Sequence, residues 1–118
     1  MKYLCLIFID EKKFDAMPQS AQDTCVKEHL TYDGELRKSG HLIVTEALQS
    51  VKTATTVRVR DGKVSVTDGP FIETKEQLGG FYLIQARDLN DAIRVASKIP
   101  SARMGSIEVR PIMELDPQ

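Results

Sequence analysis

The segment Lys2–Ile9 is apolar on both faces of a strand, and that constrains this chain more than any other feature. Side chains alternate across a strand, so Leu4, Leu6 and Phe8 share one face while Tyr3, Cys5, Ile7 and Ile9 share the other. A strand of this kind is stable only when both faces are covered. A second run, Gly80–Ala86, has the same character through Phe81, Tyr82, Leu83 and Ile84. The sheet built on these two strands therefore needs cover in front and behind.

Two segments are patterned to supply the front cover. Between Pro18 and Ser39, Cys25, His29, Tyr32 and Leu36 recur at steps of four, three and four, which places them on one helical stripe. Val26 and Leu30 widen that stripe, and Gly34 interrupts it with a residue that costs about 1 kcal/mol relative to alanine in a helix. The second helix is expected after Asp88, a capping residue, with Leu89, Ala92, Ile93 and Ala96 buried and Pro100 as its stop. His41–Ala47 and Ser106–Met113 read as further strands, the latter with Pro111 at an edge or end.

Between these elements lies a hairpin. Thr55–Arg60 and Lys63–Thr67 both alternate, and they flank Asp61-Gly62, a dipeptide suited to the positive φ values of a tight hairpin turn. The order is strand, helix, strand, hairpin, strand, helix, strand. It predicts an α+β, ferredoxin-like split β-α-β pair with an inserted hairpin. At 118 residues one domain spanning 1–118 is expected. Two helices cover only one face of such a sheet. The second face is then covered by a second copy in a homodimer packed sheet to sheet, or by the hairpin folding back in a monomer.

Composition excludes several functions. With a formal net charge of -1, no overall field attracts nucleic acid or an anionic membrane. The apolar N-terminal run is seven residues long and ends at Asp10-Glu11-Lys12-Lys13, too short for a signal peptide or a membrane span of about twenty residues, so a cytoplasmic location is expected. Cys5 and Cys25 have no metal-type spacing and fit reduced thiols. No cofactor motif is present. Lys75 precedes Gly79-Gly80 and is not followed by Ser or Thr in the manner of a phosphate loop.

The candidate chemistry is sparse. His29, on the inward stripe, is suited to general-base work near neutral pH, or is a core-edge histidine satisfied by a backbone carbonyl. His41 reads as a solvated strand-end residue, and the twelve-residue interval between the two histidines matches no zinc pattern. Arg58, Arg60 and Lys63 on the hairpin and Arg110 on the last strand fit either an anionic ligand or a solvated face. The segment Asp68–Gly80 is the most specified loop. Asp68 can close an Asx turn, Gly69 can take positive φ and Pro70 fixes direction, which throws Phe71 outward. Thr74–Gln77 is suited to a short helical turn, and Gly79-Gly80 to close backbone approach. The loop is either a ligand lid or a structural organiser.

Several stretches, in order, carry a family resemblance: Glu35–Gly40, Thr53–Arg58, Asp61-Gly62-Lys63, Thr67-Asp68-Gly69-Pro70-Phe71, Glu73–Gly80 and Glu108–Ile112. On these the chain resembles the YCII-related family, in its DGPF-domain branch, over nearly its whole length. The resemblance implies a dimeric α-β barrel. It also implies an enzyme using a helix histidine and an aspartate just before a proline after the second helix. His29 matches the histidine position, whereas Ile99 stands before Pro100 where the aspartate is expected. Some relatives are associated with sigma-factor-type transcription proteins. Two functions follow. One is a small-molecule binding domain catalysing a lyase-like elimination without a metal, with His29 and Asp68 as catalytic candidates and Arg58, Gly69, Pro70, Phe71, Thr74, Lys75 and Gly80 at the ligand. The other is a non-catalytic interaction or regulatory module.

Overall fold

A computed structural model describes residues 1–116. The described chain is mixed α+β, with β1 (Lys2–Ile9), α1 (Glu11–Asp15), α2 (Gln19–Lys38), β2 (Leu42–Ala47), β3 (Thr55–Arg60), β4 (Lys63–Asp68), β5 (Gln77–Gln85), α3 (Leu89–Ser97) and β6 (Ser106–Pro111). Single 3-10 turns lie at Val51–Thr53 and Pro100–Arg103. The main sheet has four antiparallel strands in the order β2-β5-β1-β6, and β3-β4 forms a separate two-stranded ribbon. This order is compatible with a ferredoxin-like fold. The two strands that are apolar on both faces, β1 and β5, are the central pair. Edge position is left to β2 and to β6, which ends at Pro111.

The core lies between the sheet and helices α2 and α3. From β1 it takes Tyr3, Cys5 and Ile7, and from β5 Tyr82 and Ile84, with Ala86 just beyond; Tyr32 and Leu36 of α2, Ala92, Val95 and Ala96 of α3, and Ile99 complete it. Gly34 does not break α2, which runs for 20 residues. The expected stripes need correction at their margins. Val26 and Leu30 of α2 are exposed, as are Leu89 and Ile93 of α3, where Val95 takes the buried position instead. A helix on a sheet buries a narrow stripe, and residues flanking it stay in water. Two further differences are local. Asp10 caps α1, a five-residue helix in the charged run after β1. Thr74–Gln77 forms no helical turn, because β5 begins at Gln77.

Both sheet faces are apolar, but only one is covered by helices. The second face carries Leu4 and Leu6 opposite Leu83 and Phe81, with Phe8 and Val44 beside them, and Glu46, Glu108 and Arg110 toward the edges. The hairpin does not lie over it. The chain measures 50 × 47 × 18 Å across its Cα atoms, and a further layer would add roughly 10 Å to the thin dimension.

One polar cluster ties the helical layer to the sheet at its far end. Asp91 is buried and accepts from the backbone N–H of Arg87 and from the side chain of Arg94. His41 Nε2 lies 3.2 Å from Asp91 Oδ2, and His41 Nδ1 lies 2.7 Å from Ser39 Oγ. His41 is thus a clamp between the start of β2 and the start of α3, not a solvated strand end. The Arg87 amide, then His41, holds the Asp91 carboxyl down to about 2, against an ordinary value of 3.8. A depressed carboxyl contributes stability that is complete above the unfolded value and vanishes as pH falls to the folded one. Asp91→Asn is therefore expected to lower the melting temperature at pH 7, with the gap to the parent protein closing between about pH 4 and pH 2. A gap that persists unchanged at pH 2 would show that packing, not charge, is lost.

Candidate functional site

Helix α2 places His29 and Asp33 one turn apart on the side that faces β5. Tyr82, on β5, is buried at 2% exposure and points between them. Its hydroxyl donates to Asp33 Oδ1 and lies 3.1 Å from His29 Nδ1. The other ring nitrogen, Nε2, is 2.8 Å from Ser101 Oγ, on the 3-10 turn after α3. The direction of proton donation follows from the ends of this chain. Tyr82 gives its one proton to Asp33, so it accepts from His29 Nδ1–H. Nε2 is then the bare nitrogen and accepts from Ser101. The imidazole is held neutral, in one tautomer, with its basic nitrogen toward Ser101.

The electrostatics agree with that assignment. Burial lowers the His29 pKa from its ordinary 6.5, Asp33 and Glu28 oppose the shift, and Arg103 reinforces it. Burial, then the bond to Asp33, pushes the Tyr82 phenol far above its usual range, so it stays protonated as a bridge. Arg103 is itself engaged by Glu28 at 2.6 Å.

His29, Asp33, Tyr82 and Ser101 line a cavity of about 490 Å³. Apolar walls come from Ile7, Val26, Leu30 and Met104, and Arg37 supplies a cation. A small apolar-walled pocket with a few convergent polar groups is the usual form of a ligand site. Gly80 lines it too, and its place there has a steric reason: a Cβ at Gly80 would sit 2.8 Å from the Glu46 carbonyl oxygen.

The other expected site residues lie elsewhere. Asp68, Gly69, Pro70, Thr74 and Lys75 line a second cavity of about 690 Å³ with Asp10, Glu11, Lys12 and Lys52. Asp68 does not line the His29 cavity, and the loop bounds its own pocket. Gly69 has φ 101, and its carbonyl accepts from Thr56 Oγ1 at 2.8 Å, which pins the loop to the hairpin base. Arg58 stacks over the exposed Phe71 ring at 4.9 Å. Ile99 is fully buried in the core, so no carboxylate stands before Pro100. Two residues that sequence reading passed over, Asp33 and Ser101, take part instead. Asp33 carried a signal, since it stands four residues after His29 on one helix face. Ser101 carried none.

Cys5 and Cys25 are both free and buried, and burial raises both thiols, Cys5 to about 11. Neither is suited to act as a thiolate nucleophile near neutral pH. Among the described residues no three His, Cys, Asp or Glu side chains come together as a metal site, and no helix is long and apolar enough to cross a membrane.

The model of the YCII-related domain matches residues 1–116. The chain belongs to the YCII-related family. An uncharacterised protein of Rhizobium meliloti is 34% identical to this YCII-related chain over 114 residues, which cover 95% of the chain and 92% of the relative. The match spans both central strands, α2 with His29, and the Asp68–Gly80 loop of the YCII-related domain, so the candidate site lies wholly within it.

Proposed function

We propose that this YCII-related protein, of the DGPF-domain branch, binds a small molecule in the His29 cavity and uses His29 for proton transfer, in a lyase-like elimination. One observation carries the reading: a neutral histidine, fixed through Tyr82 to the buried Asp33, turns its basic nitrogen to the cavity side where Ser101 sits. A substrate that displaces the Ser101 hydroxyl meets Nε2 directly. His29 then takes a proton from carbon, the C–H electron pair forms the new double bond, and the leaving group departs from the adjacent carbon with its own pair. Arg37 is placed to hold a substrate carboxylate. Asp33, acting through Tyr82, supplies the orientation that the aspartate before the proline was expected to give.

The same reading makes the molecule a homodimer of the α-β barrel type, paired through the second sheet face. The apolar centre at Leu4, Leu6, Phe81 and Leu83 and the charged margin at Glu46, Glu108 and Arg110 support it, since a protein interface has that layout.

A test uses β-substituted small carboxylic acids, aliphatic and aromatic, with ligand contact followed on the imidazole ¹⁵N resonances and elimination by the absorbance of the conjugated product. His29→Gln is expected to lower turnover by roughly 10²- to 10⁴-fold with the fold intact. Unchanged turnover and binding in that variant would remove His29 from any role. The buried Ile99 favours a second reading, a non-catalytic interaction or regulatory module of the kind linked to sigma-factor-type transcription proteins. Absence of any acid-induced shift at His29, together with recovery of one specific protein partner, would support it instead.

A further inference from the structure

The hairpin β3–β4 has an apolar face that its own subunit leaves in water. Val57 pairs with Val66 and Val59 with Val64, so all four valines fall on one side of the ribbon. They are 56–67% exposed. The opposite side carries Arg58 with Ser65 and Thr56 with Thr67, a polar face suited to water. An isolated two-stranded hairpin is marginal in water and needs packing on one face. Within the subunit, the hairpin base is fixed by Gly69 N–H to the Ala54 carbonyl at 2.8 Å and by Thr56 to Gly69. The ribbon then runs away from the body. The radius of gyration is 16.3 Å, against about 13.5 Å for a compact chain of this length.

We propose that the Thr55–Asp68 hairpin is an arm whose valine face docks on a second copy of this chain. The inference rests on the sheet-paired homodimer proposed above and adds a second contact surface to it. Area favours this occupant. The second face of a four-stranded sheet is roughly 20 Å by 20 Å, about 400 Å² in projection. A standard interface uses about 800 Å² of accessible surface per partner. The valine face of a six-residue ribbon adds roughly 200 Å² in projection per arm, and a two-fold axis supplies two arms. Sheet and arm together approach what a stable dimer requires, and the same contact covers the valines. Alternation is what the arm needs: valine at every second position gives one greasy face, and the intervening Arg, Ser and Thr keep the other in solvent.

The test is sedimentation velocity on the full chain and on the fourfold variant Val57→Thr, Val59→Thr, Val64→Thr, Val66→Thr. Threonine keeps shape and strand preference while removing apolar surface. The parent protein is expected to be a dimer, and the variant to dissociate with a Kd raised about tenfold or more. A dimeric parent with an unchanged Kd in the variant would overturn the arm while leaving the sheet pairing standing. A monomeric parent at micromolar concentration would overturn both. A photo-crosslinking residue at position 64 keeps the idea open to test if the fourfold variant misfolds. Irradiation of the purified protein is expected to give a species of twice the chain mass. Crosslinks confined to one chain would also overturn the arm.

Discussion

Tyr82→Phe is expected to damage the candidate site more than any other single-atom change. The variant removes one oxygen. That oxygen is the acceptor for His29 and the donor to Asp33, and Tyr82 is almost fully buried. Its loss leaves a buried carboxylate without that donor and an imidazole N–H without that acceptor. An unsatisfied buried polar group costs about 1–3 kcal/mol, and more when charged. Stability measured by urea denaturation should fall by roughly 3 kcal/mol or more, since two groups are stranded. Asp33→Asn in the Tyr82→Phe background should restore part of it, because the stranded charge is gone, so the double variant should cost less than the two single changes added. Additive losses would mean that Tyr82 and Asp33 do not act as a pair. The imidazole ¹⁵N spectrum should also change, as the tautomer is no longer fixed by an acceptor at Nδ1.

Gly105→Ala is expected to be the most destabilising surface-loop substitution in the protein. A Cβ at this position would lie 2.0 Å from the carbonyl oxygen of Phe8 and 3.2 Å from the Ile9 Cα, both backbone. Side chains could step aside; a strand backbone in the middle of the sheet cannot. Either β1 shifts, with loss of its pairing to β6 at Phe8 and Ser106, or the turn before β6 rebuilds. The cost should be about 3 kcal/mol, at the upper end for overpacking. Gly34→Ala is the matched control. It lies within α2 with nothing within 4 Å of the added Cβ, so the same change there should stabilise by up to ~1 kcal/mol through helix propensity. Equal effects at the two positions would rule out the close approach at Phe8.

Most elements of the fold were legible in the residues because each rests on short-range chemistry; the five-residue helix α1 was not. Asp61 and Gly62 both take positive φ, and the hairpin around them has the expected register from Arg60 opposite Lys63 to Thr56 opposite Thr67. Asp88 caps α3 as read, through its bond to the Asp91 N–H. Central placement of β1 and β5 follows from their two apolar faces. The breadth of the buried stripes was not legible. Val26, Leu30, Leu89 and Ile93 are as apolar as the residues that are buried, and only where each helix lies on the sheet puts them outside.

The candidate site lay further from the text of the chain. His29 announced itself as a titratable residue on an inward stripe. Its partners are 53 and 72 positions away, at Tyr82 and Ser101, and no local pattern connects them. The loop from Asp68 to Gly80 drew attention by its turn chemistry, yet its cavity is separate from that of His29, and the two share no lining residue. Periodicity, capping and turn residues act over a few positions, so the linear order alone determined the principal strands, the two long helices, and that the sheet would be apolar on both sides. Which side chains meet depends on strand order and on where each helix lies across the sheet, and only tertiary structure decided that Asp33, Tyr82, His29 and Ser101 form one hydrogen-bonded chain.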